Sequence, residues 1–192
     1  MKNSKFVGGL IALSLALPFA VATGSAEPSA KATAETSSLV LLPATSGTGA
    51  WVYLLSSTIK TPNGKELFIT AAFEAGLFTH TEAEGGDISQ AQATVQVRVL
   101  VDGAEVNPGP VVYANRIQTL TSHLDDNEEI QLTLDTAGAA SFTFVANDVP
   151  VGEHTVTAQA RVVTSGFSDW EALGAVGKGS LTVEEVRMVN GQ

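Results

Sequence analysis

Gln92 to Ala114 reads Q-A-T-V-Q-V-R-V-L-V-D-G-A-E-V-N-P-G-P-V-V-Y-A. Ala93, Val95, Val97, Val99 and Val101 fall at every second position, with Thr94, Gln96 and Arg98 between them. A period of two marks a strand with one buried and one wet face. Asp102-Gly103 then gives a hairpin signal, because both central residues of a type I′ turn take positive φ. Asn107-Pro108-Gly109-Pro110 gives a second reversal, in which proline fixes φ and glycine accepts a positive one. The stretch predicts a β-meander whose inward valines other strands must cover.

Working outward, the same alternation returns along most of the chain. Leu39 to Leu42 reads as a short first strand and Trp51 to Ile59 as a second, with Trp51 and Tyr53 assigned to the core. Leu67, Ile69, Ala71, Phe73, Ala75 and Leu77 hold one phase, and Gly76 inside that run suggests a bulge or a close backbone approach. His80 to Gln90 reads as an acidic loop, and Asn115 to Ser122 settles into no phase. Ile130, Leu132 and Leu134 form a clean alternating strand, followed by inward Phe142, Phe144 and Ala146. His154, Val156, Ala158, Ala160 and Val162 alternate with polar residues. Thr164 to Lys178 is the longest unpatterned segment and is read as a loop. In the last strand Leu181 and Val183 point inward, and the phase change after Glu184-Glu185 predicts a β-bulge there.

Turns separating about eight or nine short strands, with no helical period, predict an all-β chain: an antiparallel β-sandwich, immunoglobulin-like or jelly-roll-like. V-x-V-x-V-D-G at Val97–Gly103 and P-x-G-x-H-T-V-x-A at Pro150–Ala158 make Gln92 to Val163 resemble the middle and end of an immunoglobulin-like sandwich. The resemblance implies architecture alone, since these features recur in unrelated families and bring no active site. The Cys–Trp–Cys pattern of true immunoglobulin domains is missing, because the chain has no cysteine.

The beginning of the chain has the order of a secretory signal peptide: Lys2 and Lys5, an apolar run from Phe6 to Val21 broken by Pro18, then small residues up to Ala26. The run is shorter than the ~20 residues of a spanning helix. Residues 1–26 are therefore expected to be removed, 27–38 to be a flexible leader rich in Ala, Ser and Thr, and 39–192 to be one sandwich domain. The exported form is expected to be secreted or periplasmic, without disulfides and without a membrane span. Ten basic side chains stand against 20 acidic ones, a formal charge of −10. That balance argues against nucleic acid, whose recognition rests on Lys and Arg.

The residues that carry chemistry are sparse. Nucleophilic catalysis needs a Ser or Cys beside an oriented base. There is no cysteine, no G-x-S-x-G, and the three histidines are His80, His123 and His154. His154 shares the phase of Val156 and reads as a partly buried strand-end residue, while His80 and His123 fall in expected loops. Asp125, Asp126, Glu128 and Glu129 cluster in one turn, and Glu82, Glu84 and Asp87 in another. Such acidic loops suit weak calcium binding, but the spacing matches no calcium motif and a solvated turn that aids solubility is the usual explanation, so no cofactor is expected. Phe167 and Trp170 are the candidate ligand-binding residues, as rings that could stack on a sugar; the competing reading has Trp170 folded back as a plug over the core.

These expectations converge on a secreted, non-enzymatic sandwich with a binding or structural role at the cell surface or in the matrix, adhesin-like or a fibre component. Its partners would be another extracellular protein, a glycan or further copies of itself. In the self-assembly version Leu39 to Leu42 adds as a strand to the open edge of a neighbour. A carbohydrate-binding module built on Phe167 and Trp170 is the alternative, with a hydrolase or hydrolase inhibitor behind it.

Overall fold

The computed structural model describes residues 32–43, 46–84, 86–123, 129–138 and 141–186. The expected signal peptide lies outside them, as do Asp125, Asp126 and Glu128 of the acidic turn. The described strands are β1 (Ala32–Ser37), β2 (Val40–Leu41), β3 (Gly47–Thr48), β4 (Val52–Thr61), β5 (Lys65–Glu82), β6 (Ile88–Val101), β7 (Ala104–Glu105), β8 (Val111–His123), β9 (Glu129–Gly138), β10 (Ser141–Val149), β11 (Gly152–Phe167) and β12 (Asp169–Val186). β2, β3 and β7 are two-residue pieces. The other nine are strands of six residues or more, and β5 and β12 reach 18 residues each.

The strands form two antiparallel sheets packed face to face, a β-sandwich. The first sheet runs β1-β12-β5-β10, with β2 also on β12. The second runs β3-β11-β6-β8-β9, with β4 also on β11 and β7 on β6. β6 is central to the second sheet, and Val95, Val97 and Val99 are fully buried against Leu67, Ile69, Leu181 and Val183 of the first. Asp102 and Gly103 have φ of 50° and 84°, as a type I′ turn requires, and Val101 pairs with Ala104 across it. The second reversal holds a cis Asn107–Pro108 bond followed by Gly109 at φ 87°. No helix among the described residues is long and apolar enough to cross a membrane.

Several local expectations are corrected. Thr164 to Lys178 is no loop: β11 runs to Phe167, and β12 starts at Asp169 in the other sheet. A single residue, Ser168 at φ 59°, turns the chain across the sandwich. The pattern was hidden there by glycines that stand where neighbouring side chains fill the space. A Cβ on Gly174 would lie 2.9 Å from a Val162 methyl. His80 and Glu82 belong to β5, and Ile88 to Gln90 begin β6. Within the expected leader, Ala32–Ser37 forms β1 along β12. Main-chain hydrogen bonds suffice for an edge strand of small residues, and Thr33 adds a hydroxyl contact of 2.9 Å to Ser57.

The bulge expected at Glu184-Glu185 is absent, since pairing with β5 runs unbroken from Gly179 to Val186. The register instead shifts between Val176 and Gly179, where the Lys178 N–H donates to Glu74 at 3.2 Å. Trp51 and Tyr53 are not core residues. A register shift beside Leu54 turns both Leu54 and Leu55 inward, and it leaves Tyr53 exposed on the outer face of the second sheet.

Candidate functional site: an open strand position

β10 pairs with β5 only from Lys65 to Ala72. Above Ala72, β5 keeps β12 on one side, and no described strand occupies the other. The second sheet is wider at this level, because β9 pairs over its whole length with Ala114 to His123 of β8. β9 is its outermost strand. One sheet therefore extends beyond the other by one strand position.

The floor of that position is apolar. Gln118 of β8 points at the first sheet: its amide donates to Thr81 Oγ1 at 2.9 Å and accepts from Thr79 Oγ1 at 2.8 Å. Leu134 is directly opposite Gln118, Leu132 opposite Leu120, and Ile130 opposite Ser122. Residues directly opposite share a face of the sheet, so all three β9 side chains point toward the missing strand. They remain 48%, 55% and 75% exposed for Leu134, Leu132 and Ile130. The alternation that predicts an inward face is correct; a cover among the described strands is what is lacking. Polar Gln118 and Arg116 on the inner face of β8 also explain why Asn115 to Ser122 showed no apolar phase.

Two side chains mark the lower end of the position. The Tyr113 hydroxyl donates to the Ala71 carbonyl at 2.6 Å, where β10 reaches its last pairs with β5. Burial raises the phenol well above its usual pKa. Arg116, opposite Thr136, has its Nε buried without a hydrogen-bond partner, and no carboxylate among the described residues pairs with it.

A second feature is a cleft of about 440 Å³ between the Asp102 turn and the β10–β11 turn. His154 sits at its base with Nδ1 2.7 Å from Asp102 Oδ2 and Nε2 2.9 Å from the Pro150 carbonyl. The Asp102 bond raises the histidine pKa against desolvation, and the same bond holds the Asp102 carboxyl below its usual range. With both ring nitrogens engaged by acceptors, His154 offers a substrate neither. It ties two turns together.

Phe167 and Trp170 are not brought together. Phe167 pairs with Gln90 and lies half-exposed on the outer face of the second sheet. Trp170 pairs with buried Thr81 of the first sheet, and its ring lies over Gly166, where an added Cβ would stand 2.4 Å from it. The aromatic cluster that forms instead is Trp51, with the guanidinium carbons of Arg98 and Arg161 each 4.4 Å from its ring centre. Arg98 also donates to Gln159 and meets Glu105 at 3.3 Å, and Arg161 donates to Gln96. The outward phase of Arg98 and Arg161 was visible in the sequence, but the position of Trp51 beside them depends on the shift at Leu54. No three His, Asp or Glu side chains gather into a cation site among the described residues, Glu82, Glu84 and Asp87 included.

No protein-family model matches the chain, and no curated protein matches it. Among solved structures it is similar to one described as "Structure of infectious bursal disease virus Gx strain", with 12% identity and a TM-score of 0.36. The likeness covers 84% of this chain and 33% of that one, so the chain spans about a third of its length.

Proposed function

We propose that this chain is an exported, non-enzymatic sandwich that works in binding or assembly by accepting an extended strand at the open position beside β5. The observation that carries the reading is the row Ile130, Leu132 and Leu134, aimed inward and left uncovered. An exposed main-chain edge next to an apolar floor is the arrangement that strand addition uses: the edge gives hydrogen bonds, and the floor selects alternate side chains. Covering three such side chains, each already partly buried, is worth roughly 3–5 kcal/mol. That is enough to favour an ordered partner once main-chain hydrogen bonds are added.

The shape also limits the partner. β9 projects beneath the open position, so the edge of another intact sandwich, which carries its own second layer, would collide with it. A lone extended segment would not. The acidic, cysteine-free composition suits work outside the cell, where the signal-like beginning would send the chain.

Sedimentation velocity of the exported form over a hundredfold concentration range tests the reading. Association is expected in the unmodified chain, and loss of it in Leu132→Ser/Leu134→Ser. A chain that stays monomeric throughout, or a variant that associates unchanged, overturns it.

A further inference from the structure

We infer that the strand which fills the open position is residues 35–41 of a second copy of this chain, an inference that rests on the reading just given. Glu35-Thr36-Ser37-Ser38-Leu39-Val40-Leu41 lies at the outer edge of the first sheet in its own chain. Glu35, Thr36 and Ser37 pair with Leu181, Ser180 and Gly179 of β12, and donation exchanges these edge pairs for pairs with the acceptor's β5. At the leucine end the attachment is slighter. Val40 and Leu41 make two pairs with β12. Leu39 and Leu41 are 63% and 74% exposed, two large apolar side chains in one phase with no cover.

The inner row of the open position can be read off β8 and β9. Going up from Tyr113 it holds Arg116 with Thr136, Gln118 with Leu134, Leu120 with Leu132, and Ser122 with Ile130. A strand laid over it in the direction of β8 presents every second residue to that row. Residues 35, 37, 39 and 41 then place Glu35 at Arg116, Ser37 at Gln118, Leu39 at Leu120 and Leu132, and Leu41 at Ser122 and Ile130. The separation from Glu35 to Leu39 equals that from Arg116 to Leu120. The carboxylate meets the guanidinium that lacks a charged partner, and the leucines meet the exposed leucine and isoleucine. Shifting the segment by one residue puts Thr36 at Arg116 and loses the charge match, and it would take Leu42, which is buried in its own core, for the place of exposed Leu41.

The same segment cannot serve its own chain's site. β12 and β5 separate β1 and β2 from the open position, so the donor must be another molecule. Each copy would then give one strand and accept one. Such a head-to-tail contact makes an open chain of copies unless the rotation closes it into a ring.

The absence of cysteine makes a disulfide test direct. Leu39→Cys and Leu132→Cys, made separately in the exported form and mixed under mild oxidation, are expected to give a reducible heterodimer. Val40→Cys mixed with Leu132→Cys, one residue out of phase, should give at least tenfold less. Glu35→Arg should weaken association at least tenfold while the melting temperature of the dilute monomer stays unchanged. Equal trapping by Val40→Cys, or no heterodimer, overturns this donor. If Leu132→Ser/Leu134→Ser still abolishes association in that case, the open position stands and a different strand fills it. If that variant associates normally, the site itself has been misread and the inference falls with it.

Discussion

His154 Nδ1 stands 2.7 Å from Asp102 Oδ2, joining the turn after β6 to the third residue of β11. The Thr155 N–H donates to the other carboxylate oxygen at 2.9 Å, and the Asp102 N–H donates to the Thr155 carbonyl. With the Pro150 carbonyl at Nε2, both histidine nitrogens face acceptors. Acceptors at both nitrogens favour the doubly protonated ring and raise its pKa, so below the raised value the contact is an ion pair at one end of the central hairpin.

His154→Gln is expected to lower stability by about 1–2 kcal/mol, a figure kept modest because Asp102 is half-exposed. The histidine pKa is raised from its ordinary 6.5. Its contribution is thus complete below 6.5 and fades as pH rises through the raised value. The Asp102 pKa is lowered from 3.8, so its share is present above 3.8 and is lost as acid takes the pH through the lowered value. Thermal melts of chain and variant should differ most between about pH 4.5 and 6.5 and converge in alkali. A gap that does not change with pH would leave packing alone as the role of His154.

Tyr113→Phe removes the hydroxyl that donates to Ala71 while keeping the ring 6.2 Å from that of Phe73. The buried carbonyl loses a partner at the point where β10 leaves β5. The expected cost is about 1–2 kcal/mol, read from denaturant midpoints at constant slope. Hydrogen exchange should quicken at the β5–β10 pairs nearest Ala72 more than at the pairs of β6 with β11. Uniform quickening would place the loss in the whole core instead.

How far the sequence spoke for the fold depended on who covers whom. Val95 to Val101 lie between two sheets, so their alternation was complete and the Asp102-Gly103 turn followed from chemistry local to it. Ile130, Leu132 and Leu134 show the same alternation, and nothing in those residues tells that no described strand faces them. That information lies in β10 ending its pairing at Ala72, a non-local fact. Trp170 and Gly166 illustrate the opposite case. Each broke the pattern alone, and together they make one packed unit. The candidate pair Phe167 and Trp170 stands three positions apart in sequence but is divided between sheets by Ser168, whose crossover no periodicity announces.

That division has a measurable consequence. Gly166→Ala would push a methyl against the Gln90 carbonyl and the Trp170 ring, both at 2.4 Å. It is expected to cost about 1–3 kcal/mol and to shift the tryptophan fluorescence, since one of the two rings must move. Phe167→Ala, at an exposed site, should stay within about 0.5 kcal/mol of the unmodified chain. A large loss from Phe167→Ala with none from Gly166→Ala would reverse the roles given to these residues.

The sharpest contrast is between leucines of the same phase in different sheets. Leu181 is fully buried, and Leu181→Ala is expected to cost about 2–5 kcal/mol through lost transfer energy and the cavity left behind. Leu132 and Leu134 alternate as regularly but face a position that no described strand fills, so Leu132→Ser/Leu134→Ser should change the stability of the isolated monomer by less than about 1 kcal/mol. Denaturant unfolding at the lowest workable concentration isolates that comparison. As concentration rises, the unmodified chain should gain stability by mass action while the double variant does not. A residue selected for folding alone gives one answer at every concentration; a residue whose cover comes from another molecule does not.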